Sequence, residues 1–292
     1  MRISVVIATK DRAGYLERAL ESLAEQRDAP AFEAVVVDNG STDETKAVTE
    51  RCAQRGALPV RYVYEGEPNR GKARNRGIAI ASGEIVAFCD DDVQVPAGWV
   101  AAHDAAHRAS SPARVVNGPI LNVASYADRP KPGFANYSRA FLCTCNASVP
   151  REALNAAGGF DEDFHLYGWE DTELGVRLRE AGAAWHFAWD AFIWHIKPPT
   201  ENTLDVETRK VVERARMARR FLDKHPSKRA RMATGAHPLN LLRGRYFTPE
   251  ALLAVYAGIA TGSGGPAWIR ALARAQLLDG IYTRELLRAL DE

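Results

Sequence analysis

The first ninety residues alternate short apolar runs with segments whose apolar residues recur at helical spacing. The runs at 3–8, 32–37, 60–64 and 85–89 are rich in β-branched residues and have the length of buried parallel strands. Between them, the segments at about 13–26, 42–54 and 71–81 predict helices. This β-α rhythm predicts an α/β fold with an open, mostly parallel sheet and helices on both faces.

The pattern continues less regularly to about residue 204 and then becomes helical. We expect a helix to about 108, a strand near 115–123, a loop at 124–136, a strand-like run at 141–149, a short helix at 151–157, a helix at 171–181 and an aromatic strand pair at 185–194. From about 205 onward the pattern predicts helices, with a break at 262–266. The pattern therefore predicts an α/β region to about residue 204 and a helical C-terminal region at 205–292.

Composition places the chain among ordinary globular proteins. It has 292 residues, of which 46% are hydrophobic and 26% are charged, and its formal net charge is +1. This overall charge favours no nucleic-acid partner. One segment departs from the balance, because residues 207–245 contain twelve Lys/Arg against three Asp/Glu.

The four cysteines and the N-terminal pattern favour a cytoplasmic location. Cys143 and Cys145 have the wrong spacing for a zinc knuckle, and the cysteines do not form a disulfide framework. A strand pattern begins at residue 3, without the apolar core of a signal peptide. No run of 18 apolar residues predicts a transmembrane helix.

Three adjacent carboxylates, Asp90, Asp91 and Asp92, follow the apolar run at 85–89. Carboxylates at the exit of a buried strand repel one another and resist leaving water. A hard divalent cation such as Mg²⁺ or Mn²⁺ relieves both costs because it takes oxygen ligands. Asp90 and Asp92 would project to the same side of an extended segment. The triplet therefore predicts a metal site, with a solvated acidic loop as the alternative.

Other polar residues follow the ends of the predicted strands. Thr9 and Asp11 follow the first strand, and Asp38 follows the second. Ligands of open α/β sheets bind at the carboxyl ends of the strands. We therefore expect these residues and the Asp triplet to lie along one edge, although each could also serve an ordinary turn.

The motifs, taken in order, resemble bacterial-type glycosyltransferase family 2. They are Ile7-Ala8-Thr9-Lys10-Asp11-Arg12, Val37-Asp38-Asn39-Gly40-Ser41-Thr42-Asp43, Gly71-Lys72-Ala73-Arg74-Asn75-Arg76-Gly77, Asp90-Asp91-Asp92, Gly158-Gly159-Phe160-Asp161 and Trp169-Glu170-Asp171. The resemblance covers about residues 1–200. It implies a GT-A fold with a donor-binding half at 1–120 and an acceptor-binding, catalytic half at 121–204.

The family resemblance implies transfer of a sugar, with inversion, from a nucleotide diphosphate donor to an acceptor hydroxyl. It implies a divalent metal, Mn²⁺ or Mg²⁺, and we expect a UDP or dTDP sugar as donor. The acceptor would be a glycan, a lipid-linked glycan or a small molecule, and the setting would be synthesis of cell-surface glycans or glycoconjugates.

The same resemblance suggests roles for residues on the donor side. Asp92 would bind the metal, Asp90 the ribose side and the metal, and Asp91 would assist or serve the structure. Asp38 would read the nucleobase, and Thr9 and Asp11 would form the donor-binding turn. Arg74 would lie near the nucleotide, although Arg70, Lys72 and Arg76 compete for that role.

On the acceptor side, an inverting transferase needs a carboxylate that removes the proton of the attacking hydroxyl. By resemblance this base is Asp171, with Glu170 as second candidate and an acidic helix cap as the alternative. The helix N-terminus should lower the pKa of Asp171. Asp161 would bind acceptor hydroxyls or only form a turn, and Trp169 would stack on a sugar or pack in the core.

Three further assignments follow. His195 would be an additional metal ligand, as in some family members, or a packed histidine.

Two other function classes compete. A nucleotidyltransferase would also use a metal held by Asp, but it would need a glycine-rich loop after the first strand. A non-catalytic sugar-nucleotide-binding module would be expected to lack the acidic motifs. The basic segment at 209–245 is either a solvated face or a peripheral contact with anionic lipid, for which Met217, Phe221 and Leu222 would supply an apolar face.

Overall fold

The internal contacts of the chain divide it into two units. The computed structural model describes residues 1–108, 114–198, 200–201 and 203–292. The first unit comprises Met1–His165 and Glu170–Pro198, and the second comprises Leu166–Trp169 and Pro199–Glu292.

The first unit contains an α/β arrangement. Its strands are β1 (Ile3–Thr9), β2 (Phe32–Asp38), β3 (Val60–Tyr64), β4 (Ile85–Cys89), β5 (Val93–Gln94), β6 (Arg114–Asn117), β7 (Ile120–Val123), β8 (Asn146–Pro150), β9 (Ala184–Phe187) and β10 (Ile193–Ile196). Its helices are α1 (Ala13–Ala24), α2 (Thr45–Gln54), α3 (Arg70–Ile80), α4 (Trp99–Arg108), α5 (Arg151–Ala156) and α6 (Glu170–Glu180), with a 3₁₀ turn at Phe134–Asn136.

A seven-stranded sheet with the order β3-β2-β1-β4-β8-β6-β9 forms the centre of this unit. Its neighbouring strands are parallel except where β8 pairs with β4 and β6. Alternate residues of β1 enter different apolar clusters, with Ile7 in one and Val6 in the other. Both faces of the sheet are therefore buried, which confirms the predicted fold class.

Two segments that were expected to form strands are divided between two sheets. The segment expected to be one strand at 115–123 forms β6 in the large sheet and β7 in a smaller sheet with the order β5-β10-β7. Gly118 lies at the division, where an added Cβ would come within 1.7 Å of the carbonyl oxygen of Ala191. The aromatic segment at 185–194 divides in the same way into β9 and β10, and the run at 141–149 becomes a strand only from Asn146.

Strand directions bring the polar motifs to one edge of the large sheet. β1, β2 and β4 are parallel, so Thr9, Asp38 and Cys89 end at the same edge. The antiparallel β8 begins there, with Asn146 paired to Cys89. The Asp triplet follows directly, and the small sheet pairs His195 with Val93. The sheet order thus places a residue from near the end of the unit beside the triplet.

The second unit is helical, as predicted for the C-terminal region. It contains α7 (Leu204–Lys224), α8 (Lys228–Thr234), α9 (Pro238–Tyr246), α10 (Glu250–Thr261) and α11 (Ala267–Asp291). The side chain of Leu253 from α10 packs against Gly280 of α11, and Gly244 of α9 packs against Thr283 of α11. Among the helices in the described ranges, none combines the length and the apolar character needed to cross a bilayer.

Candidate functional site

The three carboxylates after β4 lie in different surroundings. Asp91 is buried and accepts hydrogen bonds from the hydroxyl of Thr9 (2.7 Å) and from the guanidinium of Arg12 (3.1 Å). Burial raises the pKa of Asp91 to about 6, although the charge of Arg12 opposes the change. Asp91 therefore fixes the turn after β1, whereas Asp90 is more exposed and borders open space.

Three basic side chains surround Asp92. Its carboxylate oxygens lie 2.7 Å from Arg12 Nη1, 2.6 Å from Lys197 Nζ and 2.9 Å from His195 Nε2. Burial alone would raise the pKa of Asp92, but the contacts with His195 and Lys197 hold it well below its usual range. The carboxylate is therefore ionised and carries the negative charge of this cluster.

His195 has a free nitrogen that faces the acidic cluster. Its Nδ1 lies 3.1 Å from Oδ1 of Asn122, so a hydrogen on Nδ1 would be donated to that oxygen. Its Nε2 is buried and makes no hydrogen bond within the described ranges, although Asp92 Oδ1 is 2.9 Å away. Two electron-rich atoms at this distance repel each other unless a proton or a cation shares them.

The residues around His195 fit a divalent cation. One potential ligand atom each from Asp90, Cys145 and His195 lie within 4.8 Å of one another. Burial raises the pKa of the Cys145 thiol well above its usual value, so the thiol stays protonated and is a poor ligand. Carboxylate oxygens and an imidazole nitrogen suit Mn²⁺ or Mg²⁺ better, so Asp90 and His195 are the fitting ligands of this group, and Asp92 lies 2.9 Å from His195 Nε2.

Arg74 connects the acidic cluster to the acid pair on α6. The side chain is buried, with Nη1 3.2 Å from Glu170 Oε1 and Nη2 3.7 Å from Asp90 Oδ1. Lys72, the sequence's alternative candidate for the position near the nucleotide, instead pairs with Glu65 at 3.3 Å. Helix α3 turns only one of these cations inward. Arg74 therefore brings groups that are 80 residues apart in sequence into one cluster.

The pKa of Asp171 is raised to about 6, which corrects the expectation from the helix N-terminus. Burial is the largest cause and repulsion by Glu170 is the second, while Arg74 opposes both. The backbone N–H of Thr172 donates to Asp171 Oδ1 (2.8 Å), but this bond does not offset the burial. Oε2 of Glu170 is buried and makes no hydrogen bond within the described part of the chain.

Glu173 of α6 is buried and supports a neighbouring turn. It accepts hydrogen bonds from Arg177, whose Nη2 also donates to the carbonyl oxygen of Gly159 (2.8 Å). The side chain of Asp161 accepts from the backbone N–H of Asp163 (3.0 Å). These contacts hold the Gly158-Gly159 turn against α6, and the contact of Asp161 is that of a turn residue.

The donor-side candidates Asp38 and Asp11 join two loops. Asp38 is buried, and its oxygens accept from the backbone N–H of Ser41 (2.7 Å) and from the hydroxyl of Tyr62 (2.8 Å). Asp11 accepts from the backbone N–H of Thr42 (2.7 Å), which lowers its pKa. The loops after β1 and β2 are therefore tied together at the edge where the Asp triplet begins.

Trp169 does not have the open ring face that an acceptor sugar would need. It is 6% exposed, stacks on Phe221 with a centroid distance of 5.2 Å, and its indole N–H donates to the carbonyl oxygen of Arg214 (2.9 Å). These partners belong to the second unit. The alternative of a packed tryptophan replaces the acceptor-stacking assignment because little of the ring surface is free.

Sequence reasoning missed Arg12, Lys197 and Cys145. An isolated cation after a strand usually lies in solvent, so neither Arg12 nor Lys197 stood out. One signal was present, because Lys197 is two residues after His195 and alternate strand residues face the same side. Cys145 offered no such signal, since only the pairing of β8 with β4 brings it to the Asp triplet.

Two family models match successive parts of the chain. Residues 4–118 match the model described as "Glycosyl transferase family 2", and residues 126–197 match the "N-terminal domain of galactosyltransferase". A validoxylamine A glucosyltransferase of Streptomyces hygroscopicus subsp. limoneus is 33% identical over 265 residues, which cover 77% of this chain and 57% of the relative. The chain thus spans somewhat more than half the length of such relatives.

Solved structures support the same fold. The mannosyltransferase PcManGT of Pyrobaculum calidifontis, in complex with GDP-Man and Mn²⁺, superposes with a TM-score of 0.66 at 23% identity, covering 99% of this chain and 86% of that one. TarS 1–349 of S. aureus, in complex with UDP-GlcNAc, gives 0.56 at 20% identity, covering 99% and 92%.

The fold, with its mostly parallel seven-stranded sheet flanked by helices, is that of the GT-A glycosyltransferases. Residues 4–118 of the chain form a glycosyl transferase family 2 region.

Proposed function

We propose that this chain moves a sugar, with inversion, from a nucleotide diphosphate donor to an acceptor hydroxyl. The observation that carries the proposal is the position of Arg74, which binds Glu170 and lies beside Asp90. Transfer needs a site for the charge of a diphosphate and a nearby base for the hydroxyl. With a divalent cation bound, the acidic cluster after β4 would neutralise the diphosphate, and the acid pair of α6 would supply the base at the same place.

Asp171 is the proposed general base. With a pKa of about 6, it is mostly ionised at neutral pH and still basic enough to accept a proton from the attacking hydroxyl. Glu170, the second candidate, has one oxygen bound to Arg74 (3.2 Å), so it is less free to receive that proton. We assign Glu170 the role of holding Arg74 in place.

Asp90, Asp92 and His195 would hold a divalent cation, Mn²⁺ or Mg²⁺. When bound, such a cation would neutralise the charge that develops on the departing diphosphate. The orphaned Nε2 of His195 beside Asp92 supports this assignment. The mannosyltransferase PcManGT, which shares the fold, was solved with GDP-Man and Mn²⁺, which supports the proposed metal.

The donor is proposed to be a UDP or dTDP sugar. TarS, which shares the fold, was solved with UDP-GlcNAc, whereas PcManGT was solved with GDP-Man. In this assignment residues 1–120 bind the donor, with Thr9, Asp11 and Asp38 in the loops nearest to it, and residues 121–204 bind the acceptor. We place the reaction in the cytoplasm, in synthesis of glycans, glycoconjugates or glycosylated small molecules.

The test is release of nucleoside diphosphate from UDP, dTDP and GDP sugars, with Mn²⁺, with Mg²⁺ and with EDTA. We expect slow hydrolysis of one donor that EDTA abolishes. Asp171→Asn should keep donor binding but slow release by about 10²-fold or more. Glu180→Gln is the matched control, because Glu180 is exposed at the far end of the same helix.

Two results would contradict the proposal. If no nucleotide sugar binds with either metal, the assignment of the Asp triplet fails. If Asp171→Asn loses donor binding rather than turnover, Asp171 is not the base. Donor binding without hydrolysis would instead indicate that the reaction waits for its acceptor, and adding candidate acceptors would then restore release.

Peripheral contact with anionic lipid is a further part of the proposal, and we assign it to residues other than those expected from the sequence. Met217, Phe221 and Leu222 are buried, so they cannot supply the apolar face expected for 209–245. The α10–α11 hairpin exposes Val255 and Trp268 instead. Residues 251–269 contain no charged side chain.

The surrounding charge favours anionic lipid over a second copy of the chain. Residues 203–292 contain sixteen Lys/Arg against nine Asp/Glu, whereas residues 1–202 contain 22 against 28. Contact between two such basic units would bring like charges together, while anionic lipid would neutralise them. An exposed tryptophan beside apolar residues is typical of a helix at a membrane surface.

Co-sedimentation with phosphatidylglycerol–phosphatidylcholine vesicles tests this contact. The wild type should pellet at low salt and be released at high salt, and Trp268→Glu should not pellet. Tyr64→Glu, which changes an exposed aromatic residue of the first unit, should pellet like the wild type. Failure of the wild type to pellet with anionic vesicles at low salt would contradict the contact.

A further inference from the structure

Five aromatic rings form a cluster in the first unit, outside the acidic site. Trp185, Phe187 and Trp189 alternate along β9 and its continuation, so their side chains point to the same side. Tyr137 lies against all three, with ring centroids 6.1, 5.0 and 6.1 Å away, and Phe134 lies 6.1 Å from Trp189. We call these five residues the aromatic platform.

The platform is open to solvent on one side. Phe134 is 94% exposed, Tyr137 44% and Trp189 39%. Exposed aromatic rings that touch one another are unfavourable in water and commonly mark a binding surface. The indole N–H of Trp185 donates to the carbonyl oxygen of Ala140 (2.9 Å), which fixes the loop that carries Tyr137 onto β9. The surface is therefore held in shape before any partner binds.

The platform lies at the same edge of the sheet as the acidic site. Phe187 pairs with Asn117 of β6, which pairs with β8, which pairs with β4 at Cys89. Three strand spacings separate Phe187 from Cys89, or about 14 Å. Trp189 precedes His195 by six residues, which limits their separation to about 20 Å. A molecule on the platform can thus extend toward the Asp triplet and His195.

We propose that the aromatic platform binds a sugar ring of the acceptor, next to the ring that receives the transferred sugar. Such rings have apolar C–H faces that pack on aromatic rings, while their hydroxyl groups stay in water at the rim. Tryptophan and tyrosine offer large, rigid apolar surfaces for this contact. The inference rests on the proposed transfer reaction and names the class of acceptor that the site accepts.

Direct binding tests the platform without the donor. The probes are α- and β-linked neutral hexose oligosaccharides of two to six units, and their binding is measured by tryptophan emission and saturation-transfer NMR. At least one probe should bind the wild type. Trp189→Ala should weaken its binding about tenfold, near the upper end for one aromatic contact. Trp189→Phe should recover most of the affinity, since it keeps a ring.

A matched pair of phenylalanines separates the platform from general surface effects. Phe134→Ala should weaken binding, whereas Phe247→Ala, at an exposed phenylalanine of the second unit, should not. The proposal is overturned if no probe binds the wild type or if Trp189→Ala binds as the wild type does. It is also overturned if the wild type is a dimer that Trp189→Ala converts to a monomer, because the platform is then a self-contact.

Nucleoside diphosphate release, measured separately on the wild type, distinguishes this proposal from the transfer reaction. Donor hydrolysis without binding of any probe would leave the reaction standing and overturn the platform. Binding of a probe that Trp189→Ala weakens, without donor binding or hydrolysis, would support the platform as a carbohydrate site and count against the reaction.

Discussion

The pKa of Asp171 offers a sharp test of the site. The rise from 3.8 to about 6 corresponds to about 3 kcal/mol disfavouring ionisation. Burial causes most of it and the neighbouring charge of Glu170 the next part, while Arg74 opposes. Glu170→Gln removes the repulsion and leaves Arg74 more available to Asp171. We expect the pKa of Asp171 to fall by about one in this variant.

The consequence for activity follows from the ionised fraction. At pH 5, a carboxylate with a pKa of about 6 is about one-tenth ionised, and one with a pKa of about 5 is half ionised. Relative to its own plateau above pH 7, Glu170→Gln should therefore be about five times more active at pH 5 than the wild type. If Glu170 were the base instead, the same variant would lose transfer at every pH.

Carbon-13 NMR of the aspartate carboxyl groups measures the pKa without any substrate, and Asp171→Asn assigns the resonance. Nucleoside diphosphate release between pH 4.5 and 8 then gives the activity profile. Glu180→Gln should leave both unchanged, because Glu180 is exposed at the other end of α6. A pKa of Asp171 near 4 in the wild type would contradict the effect of burial. An unchanged pKa of Asp171 in Glu170→Gln would contradict the repulsion by Glu170.

Three further changes test other parts of the first unit. Asp92→Asn should abolish the metal dependence of donor hydrolysis and slow it by about 10²-fold or more, with an unchanged circular dichroism spectrum; persistence of the metal effect would contradict the ligand assignment. Burial lowers the pKa of His103 to about 4 from 6.5, so the unfolded chain binds a proton that the folded chain does not; this group should contribute about 3 kcal/mol to the fall in unfolding free energy from pH 6.5 to 4, and urea titrations of His103→Gln should show a fall smaller by that amount. Gly118→Ala places a Cβ 1.7 Å from the carbonyl oxygen of Ala191 and should destabilise the fold by about 3 kcal/mol; a melting temperature equal to that of the wild type would contradict the packing.

The regular half of the fold was predictable from the sequence because its signals are local. Four apolar runs separated by amphipathic segments predict a parallel sheet, and β1 to β4 lie within a residue or so of the expected bounds. The irregular half was less predictable. The split at Gly118 depends on the close approach of Ala191, which is 73 residues away, and no local pattern records such a contact.

By itself, the sequence determined the α/β class, the helical C-terminal region, the run of acidic motifs and their resemblance to family 2. These features depend on spacing within short segments, which residue order alone defines. Only the tertiary structure decided which cation of α3 turns inward to Asp90, which basic groups surround Asp92, and that burial raises the pKa of Asp171 instead of the helix lowering it. Each of these depends on distances and solvent exclusion between segments far apart in sequence, and these quantities exist only once the chain has folded.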